Sequence, residues 1–152
     1  MLEPDSAEWV FDFCEALTGR AEEDGLYSLS EPEQRVVLAW STKGIIDNGG
    51  FQYFYEGATH AQEVADAYEA IGLPQLAEAC RKSLHVFPNH HPPEPQERMW
   101  KWMAEQDQSV SDYWDEWSAV IWHCSYEELQ SSLGRYICSL RAAFADAPAA
   151  TT

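Results

Sequence analysis

A chain of 152 residues with 45% hydrophobic side chains, among them seven Trp, seven Tyr and six Phe, carries enough apolar surface for a sizeable core, which excludes a disordered chain. Its formal net charge of -17, from 26 acidic against 9 basic side chains, disfavours direct binding to nucleic acid or an anionic membrane and points to a basic partner. No secretory signal and no apolar run of membrane length is visible, and Cys14, Cys80, Cys124 and Cys138 form no C-x-x-C pair, so a cytoplasmic protein with buried, reduced thiols is expected.

The acidic excess sits at the two ends. Residues 1–33 hold ten acids and one base, residues 34–104 eight and six, and residues 105–152 eight and two. Trp9, Val10, Phe13 and Leu17 recur at helical spacing and predict a first helix from residues 4–6 to about Gly19. At about 100° per residue, Asp5, Glu8, Asp12 and Glu15 share one narrow arc of that helix, beside the apolar one. Residues 19–25 read as a loop, in which Glu22, Glu23 and Asp24 add an acidic run.

Ser30-Glu31-Pro32-Glu33 is a helix start, with Ser30 as cap, Pro32 where a missing N–H is harmless, and Glu33 completing a capping box. The helix that follows turns Val36, Val37 and Trp40 toward the core and is expected to end between Ile45 and Asn48. There the chain reads Asp47 to Gly57, D-N-G-G-F-Q-Y-F-Y-E-G. Asn48, Gly49 and Gly50 tolerate positive φ and re-aim the backbone, after which Phe51, Tyr53, Phe54 and Tyr55 are expected to anchor a helical turn in the core. A phosphate-cradling loop is set aside here, because the lysine of G-x-x-x-x-G-K-[ST] and a preceding strand are missing.

Thr59-His60-Ala61-Gln62 offers another capping box, and Val64, Ala67, Tyr68 and Ile71, then Leu76, Cys80, Leu84 and Phe87, predict an αα-hairpin turning at Gly72 and Pro74. Four prolines between Pro88 and Pro95 predict an irregular link. Met99 to Met103 and Val110 to Ile121 then give two helices, the second with Asp112, Asp115 and Glu116 on the side away from Trp114 and Trp117. Ser125 and Glu128 cap a last helix striped by Leu129, Leu133, Tyr136, Ile137, Leu140 and Phe144. The expected architecture is all-α: one helical-bundle domain of six to eight helices over residues 1–146, with a disordered tail over residues 147–152.

No catalytic pattern emerges. His85, His90 and His91 lack the spacing of a metal site, the adjacent His123 and Cys124 point different ways on a helix, and no G-x-S-x-G is present, so neither an enzyme nor a metal or other cofactor is expected. Of Trp100, Trp102, Trp114, Trp117 and Trp122, most belong in the core, and one or two are available as partner anchors. The acidic stripes carry no interleaved lysines, and carboxylates three or four residues apart step about 5 Å along a helix, a spacing of the same order as the roughly 3.4 Å rise between phosphates of one DNA strand.

Asn48-Gly49-Gly50-Phe51-Gln52-Tyr53-Phe54 resembles the signature of a bacterial family of small acidic helical proteins named after a DNA-mimic protein, whose pattern has one more residue between Phe and Gln. The resemblance extends through Ile71-Gly72, Phe87-Pro88 and Tyr136-Ile137 and covers roughly residues 35–140. It implies an all-α fold, and its characterised member occupies the DNA-binding face of a transcription factor as an acidic dimer. The expectation is thus an acidic protein that binds a basic DNA-binding protein, with a homodimer as a further option. Its partner-binding face would comprise Asp5, Glu8, Asp12, Glu15, Glu22, Glu23, Asp24, Asp112, Asp115 and Glu116. The alternative is an immunity or antitoxin-type inhibitor of a basic nuclease toxin, which needs the same charge.

Overall fold

The computed structural model describes residues 7–57 and 60–144, and every regular element among them is helical. Seven α-helices follow in order: α1 (Ala7–Asp24), α2 (Glu31–Glu56), α3 (Ala61–Ala70), α4 (Pro74–Ser83), α5 (Gln96–Ala104), α6 (Gln108–Trp122) and α7 (Tyr126–Ser139), with short 3-10 turns between some of them. The expected all-α class is what is found. The start of the first helix before Ala7, the residue Asp5 and the C-terminal tail lie outside the described residues.

α2 is the axis of the fold, with α1, α3, α5 and α6 packed along it, while α4 joins α3 to α6 and α7 lies against α1. It begins as its sequence dictates. Ser30 Oγ accepts from the Glu33 N–H at 3.3 Å, and Glu33 Oε1 accepts from the Ser30 N–H at 3.0 Å, so two backbone donors left over at the helix start are satisfied reciprocally. α7 starts with the same device from Ser125 and Glu128.

The corner at residues 48–50 re-aims the chain as expected: the helical backbone is interrupted at Gly50, and a second helical segment leaves it from Phe51. Gly50 has φ 66° and ψ -166°, a region open essentially to glycine alone, and the helix resumes immediately beyond it. The break frees the N–H of Phe51, which donates to Ser118 Oγ on α6 at 2.9 Å, so a side chain from another helix caps the resumed segment. A Cβ on Gly50 would lie 2.9 Å from that same Ser118 oxygen, and one on Gly49 would lie 2.5 Å from the Cβ of Tyr53. Both glycines are therefore required by close approach, and Gly50 by its backbone as well.

Beyond the kink, Phe51, Phe54 and Tyr55 are buried, whereas Tyr53 is half exposed. Placing all four in the core is thus wrong for Tyr53, because a helix continued through the corner turns that position to the opposite face. Tyr55 stacks on Trp114 of α6 at 5.0 Å, and its hydroxyl shares a 2.6 Å hydrogen bond with Ser83 Oγ at the end of α4. Trp114 Nε1 donates to the Ser83 carbonyl at 2.9 Å, so three helices close on one polar point inside an aromatic cluster. The polar tips of these large rings are satisfied where they are buried, as such groups must be.

Other expectations need correction. Residues 19–25 are not a loop up to Asp24, since α1 runs through Gly19 for another turn and more. α3 is preceded by His60, which makes no side-chain cap, and Thr59 lies outside the described residues. The stripe of the last helix stops at Ser139: Leu140 is exposed, and Phe144 returns to the core after a 3-10 turn, where its ring meets Phe13 and Tyr136. The αα-hairpin of α3 and α4 turns at Gly72 as expected, with φ 88° there.

Lys43 is the unusual core residue. It lies in the middle of α2 and is almost fully buried, where an unpartnered ammonium would be costly. Its Nζ donates to Asp47 Oδ1 at 2.9 Å and to the Ile121 carbonyl at 3.0 Å, and lies 5.2 Å from the centre of the Tyr126 ring. The charge thereby ties α2 to the C-terminal end of α6, where the helix dipole favours a cation.

Candidate functional site

Because α1 continues to Asp24, the acids that the sequence splits between a helix and a loop belong to one helical surface. With Glu8 as reference, Asp12, Glu15, Glu22 and Glu23 fall within an arc of about 100° on an ideal helix, a row about 22 Å long. Glu8, Asp12, Glu15, Glu22, Glu23 and Asp24 are all exposed. The opposite face supplies Val10, Cys14 and Leu17 to the core, so burial of that stripe fixes the orientation of the acids.

The cations do not neutralise this row. Among the described residues, the acids in ion pairs are Glu33 with Arg20, Glu31 with Arg35, Asp47 with Lys43, and Asp66 and Glu69 with Arg81. None belongs to the candidate face. Burial opposes ionisation of Glu33, but the Ser30 N–H and hydroxyl and the Arg20 guanidinium outweigh it, so its carboxyl lies below the ordinary range. Arg20 is the one base in the first 33 residues, and its guanidinium lies 3.2 Å from the inward-lying Glu33.

Asp112, Asp115 and Glu116 form a second exposed acidic patch on α6, opposite the buried Trp114. α1 and α6, which carry the two acidic sets, each pack on α2. The Tyr126 hydroxyl is pushed up first by burial and then by the carboxylates of Asp47 and Glu15, which act on the same phenol from α2 and α1. Phe11, 45% exposed, sets its ring edge against Trp40, which in turn meets Tyr126. The acidic row thus borders an aromatic strip that sequence reasoning missed; the recurrence of Phe11 and Glu15 four residues apart was its only signal.

The other titratable groups among the described residues include thiols and histidines. Burial, then Glu15, raises the Cys14 thiol to about 12; burial also takes Cys80 to about 12 and, with Glu128, Cys124 to about 11. Such thiols are poor nucleophiles. His85 and His90 stack with ring centres 4.2 Å apart, and burial, His90 and Lys82 lower the His85 pKa. His60, His90 and His91 border a cleft of about 890 Å³ walled by Pro92 and Pro93. Among the described residues no group of three His, Cys, Asp or Glu is placed to hold a metal ion.

The tryptophans divide. Trp114 is buried, Trp102 and Trp117 are half-buried, and Trp100 and Trp122 are exposed by 53% and 42%. Trp100 faces Tyr53 across a groove of about 730 Å³ between the resumed part of α2 and α5. Among the described residues, no helix is long and apolar enough to cross a membrane.

An all-helical bundle, kinked at a glycine pair and acidic over its exposed faces, defines a class of small helical proteins with no assembled catalytic centre among the described residues. The pattern of the DMP19-like protein family matches residues 27–141, and the chain belongs to that family. No curated protein and no solved structure matches it. The matched span takes in α2 to α7, the kink and the aromatic cluster, and it leaves out α1.

Proposed function

We propose that this is a non-enzymatic, cytoplasmic DNA mimic that occupies the basic DNA-binding surface of a transcription factor or other DNA-binding protein. The carrying observation is the row on α1: exposed carboxylates at helical spacing, none of which, among the described residues, is in an ion pair. A fixed row of unneutralised carboxylates presents to a basic surface what a phosphate row presents, negative charge at short regular intervals along a rod. Holding like charges in one row costs the free protein some stability. A basic partner relieves that repulsion. Membership of the DMP19-like family supports the reading through the resemblance of the Asn48 to Phe54 signature to that of a DNA-mimic protein.

The test is capture from cell extract at low salt, followed by competition. The captured DNA-binding protein, loaded with labelled DNA, is expected to release it as this protein is titrated in. A partner that keeps its DNA in the presence of excess protein overturns the mimicry. A captured nuclease that loses its activity would instead identify an immunity-type inhibitor.

A further inference from the structure

The groove between α2 and α5 is lined by Ile45, Tyr53, Phe54, Trp100, Met103 and the acidic Glu56. It is mostly apolar, yet two of its walls are large rings half open to solvent, Tyr53 at 50% and Trp100 at 53%. Trp100 is held, its Nε1 donating to the Glu56 carbonyl at 2.9 Å, and Tyr53 stands half exposed on the outward side of α2. A ring with little freedom left to lose makes an efficient anchor, because little ordering remains to be done on binding.

Two further hollows adjoin the groove: Ile45 also lines a smaller one between α1 and α2 bordered by Glu22, and Gln52 and Met103 also line another bordered by Asp107. Among the described residues, no Lys, Arg or His lines any of the three hollows. This furrow of adjoining hollows is apolar along the floor of the groove and of the hollow beside α1 and mostly polar in the hollow beside Asp107; Glu22, Glu56 and Asp107 stand at its rim, and Glu22 belongs also to the row on α1.

We infer that this furrow receives an amphipathic basic segment of the partner, with apolar side chains set between Tyr53 and Trp100 and Lys or Arg side chains turned to Glu22, Glu56 and Asp107. The inference rests on the partner being basic, as proposed above, and adds an apolar anchor to an otherwise electrostatic contact. Charge complementarity selects this occupant: an acidic or neutral apolar segment would face a rim of like charge or gain nothing from it. The docking mode is a helix laid in a groove, read by apolar anchors on one face. Tyr53 and Gln52, exposed residues of the signature segment that line the groove, then acquire a role that core packing does not give them.

Calorimetric titration of the full chain with two probes separates the two ideas. One probe is a leucine–lysine peptide patterned as an amphipathic helix; the other is an oligolysine of the same charge. The amphipathic peptide is expected to bind at least about tenfold more tightly, the scale of one aromatic anchor. Tyr53→Ala and Ala104→Gln, both at exposed and charge-neutral positions, are expected to remove that advantage while leaving oligolysine binding and the melting temperature unchanged. The double change Glu8→Lys with Asp12→Lys is expected to weaken both peptides alike. Equal affinity for the two probes, or an advantage that survives Tyr53→Ala and Ala104→Gln, overturns the groove while leaving the acidic row intact. Failure of both probes to bind overturns the acidic reading itself. Conversion of a dimer to a monomer by Tyr53→Ala in sedimentation would give the groove to a second copy of this chain and overturn the inference.

Discussion

At Gly50 a backbone with φ 66° meets a neighbour that would lie 2.9 Å from any added Cβ, so two independent costs fall on one substitution. Gly50→Ala is expected to lower stability by about 2 kcal/mol or more, from the strained backbone and the displaced Ser118. Ser118→Ala removes the acceptor for the Phe51 N–H and is expected to cost about 1–2 kcal/mol by leaving a buried donor unmet. Chemical denaturation of the two variants checks both, and the double variant is expected to fall short of the sum because the sites touch. Gly49→Val is expected to destabilise too, since the Cβ of Tyr53 lies 2.5 Å from where its own would sit. Glu33 carries a pH signature. Its folded pKa lies below the ordinary 4.5, so on acidification the unfolded chain takes up the proton first. The stabilisation is complete above that ordinary value and is lost as the pH falls through the folded one. Glu33→Gln is thus expected to be less stable than the parent near neutral pH, with the difference shrinking below pH 4.5, as followed by denaturation at stepped pH.

At the scale of the helix, the capping boxes were legible because their chemistry is local: Ser30 with Glu33 and Ser125 with Glu128 make the bonds their spacing implies. Ser125→Ala is expected to cost about 1 kcal/mol, measured as a shift in the denaturation midpoint with an unchanged slope. What was not legible was set by contacts from elsewhere in the chain. At Asn48-Gly49-Gly50 the break and the helical turn after it were legible, but the cap of that turn was not, since Ser118 lies 67 residues beyond Phe51. Gly19 reads as a breaker, yet α1 passes through it because Leu17 and its neighbours are pinned by the core. That error mattered for function, since it separated Glu22 and Glu23 from Glu8, Asp12 and Glu15. Tyr53 was misplaced although the helical period alone turns it away from Phe51, Phe54 and Tyr55. The groove with Trp100 was out of reach of sequence reasoning, because it forms between segments more than forty residues apart.

For the whole molecule, the family span and the acidic row of α1 belong to different parts. The DMP19-like span of residues 27–141 covers the helical frame, while the longest acidic row lies on α1, before it. The frame orients α1 through the core, and in the proposed function α1 supplies the surface offered to a partner. An interface built this way is sensitive to salt, since the screening length falls from about 10 Å at 0.1 M to about 3 Å at 1 M. Affinity for the captured partner is expected to drop steeply over that range, mainly through slower association. An apolar anchor at Tyr53 and Trp100 would leave a residual, salt-resistant component. The most direct measurement of the central claim is displacement of labelled DNA from the captured partner by the parent protein and by the triple variant Glu8→Lys, Asp12→Lys, Glu15→Lys. The account predicts that the parent displaces the DNA, and that the variant needs at least about tenfold more protein while melting at an unchanged or higher temperature. Equal displacement by both, or none by the parent at low salt, would contradict it.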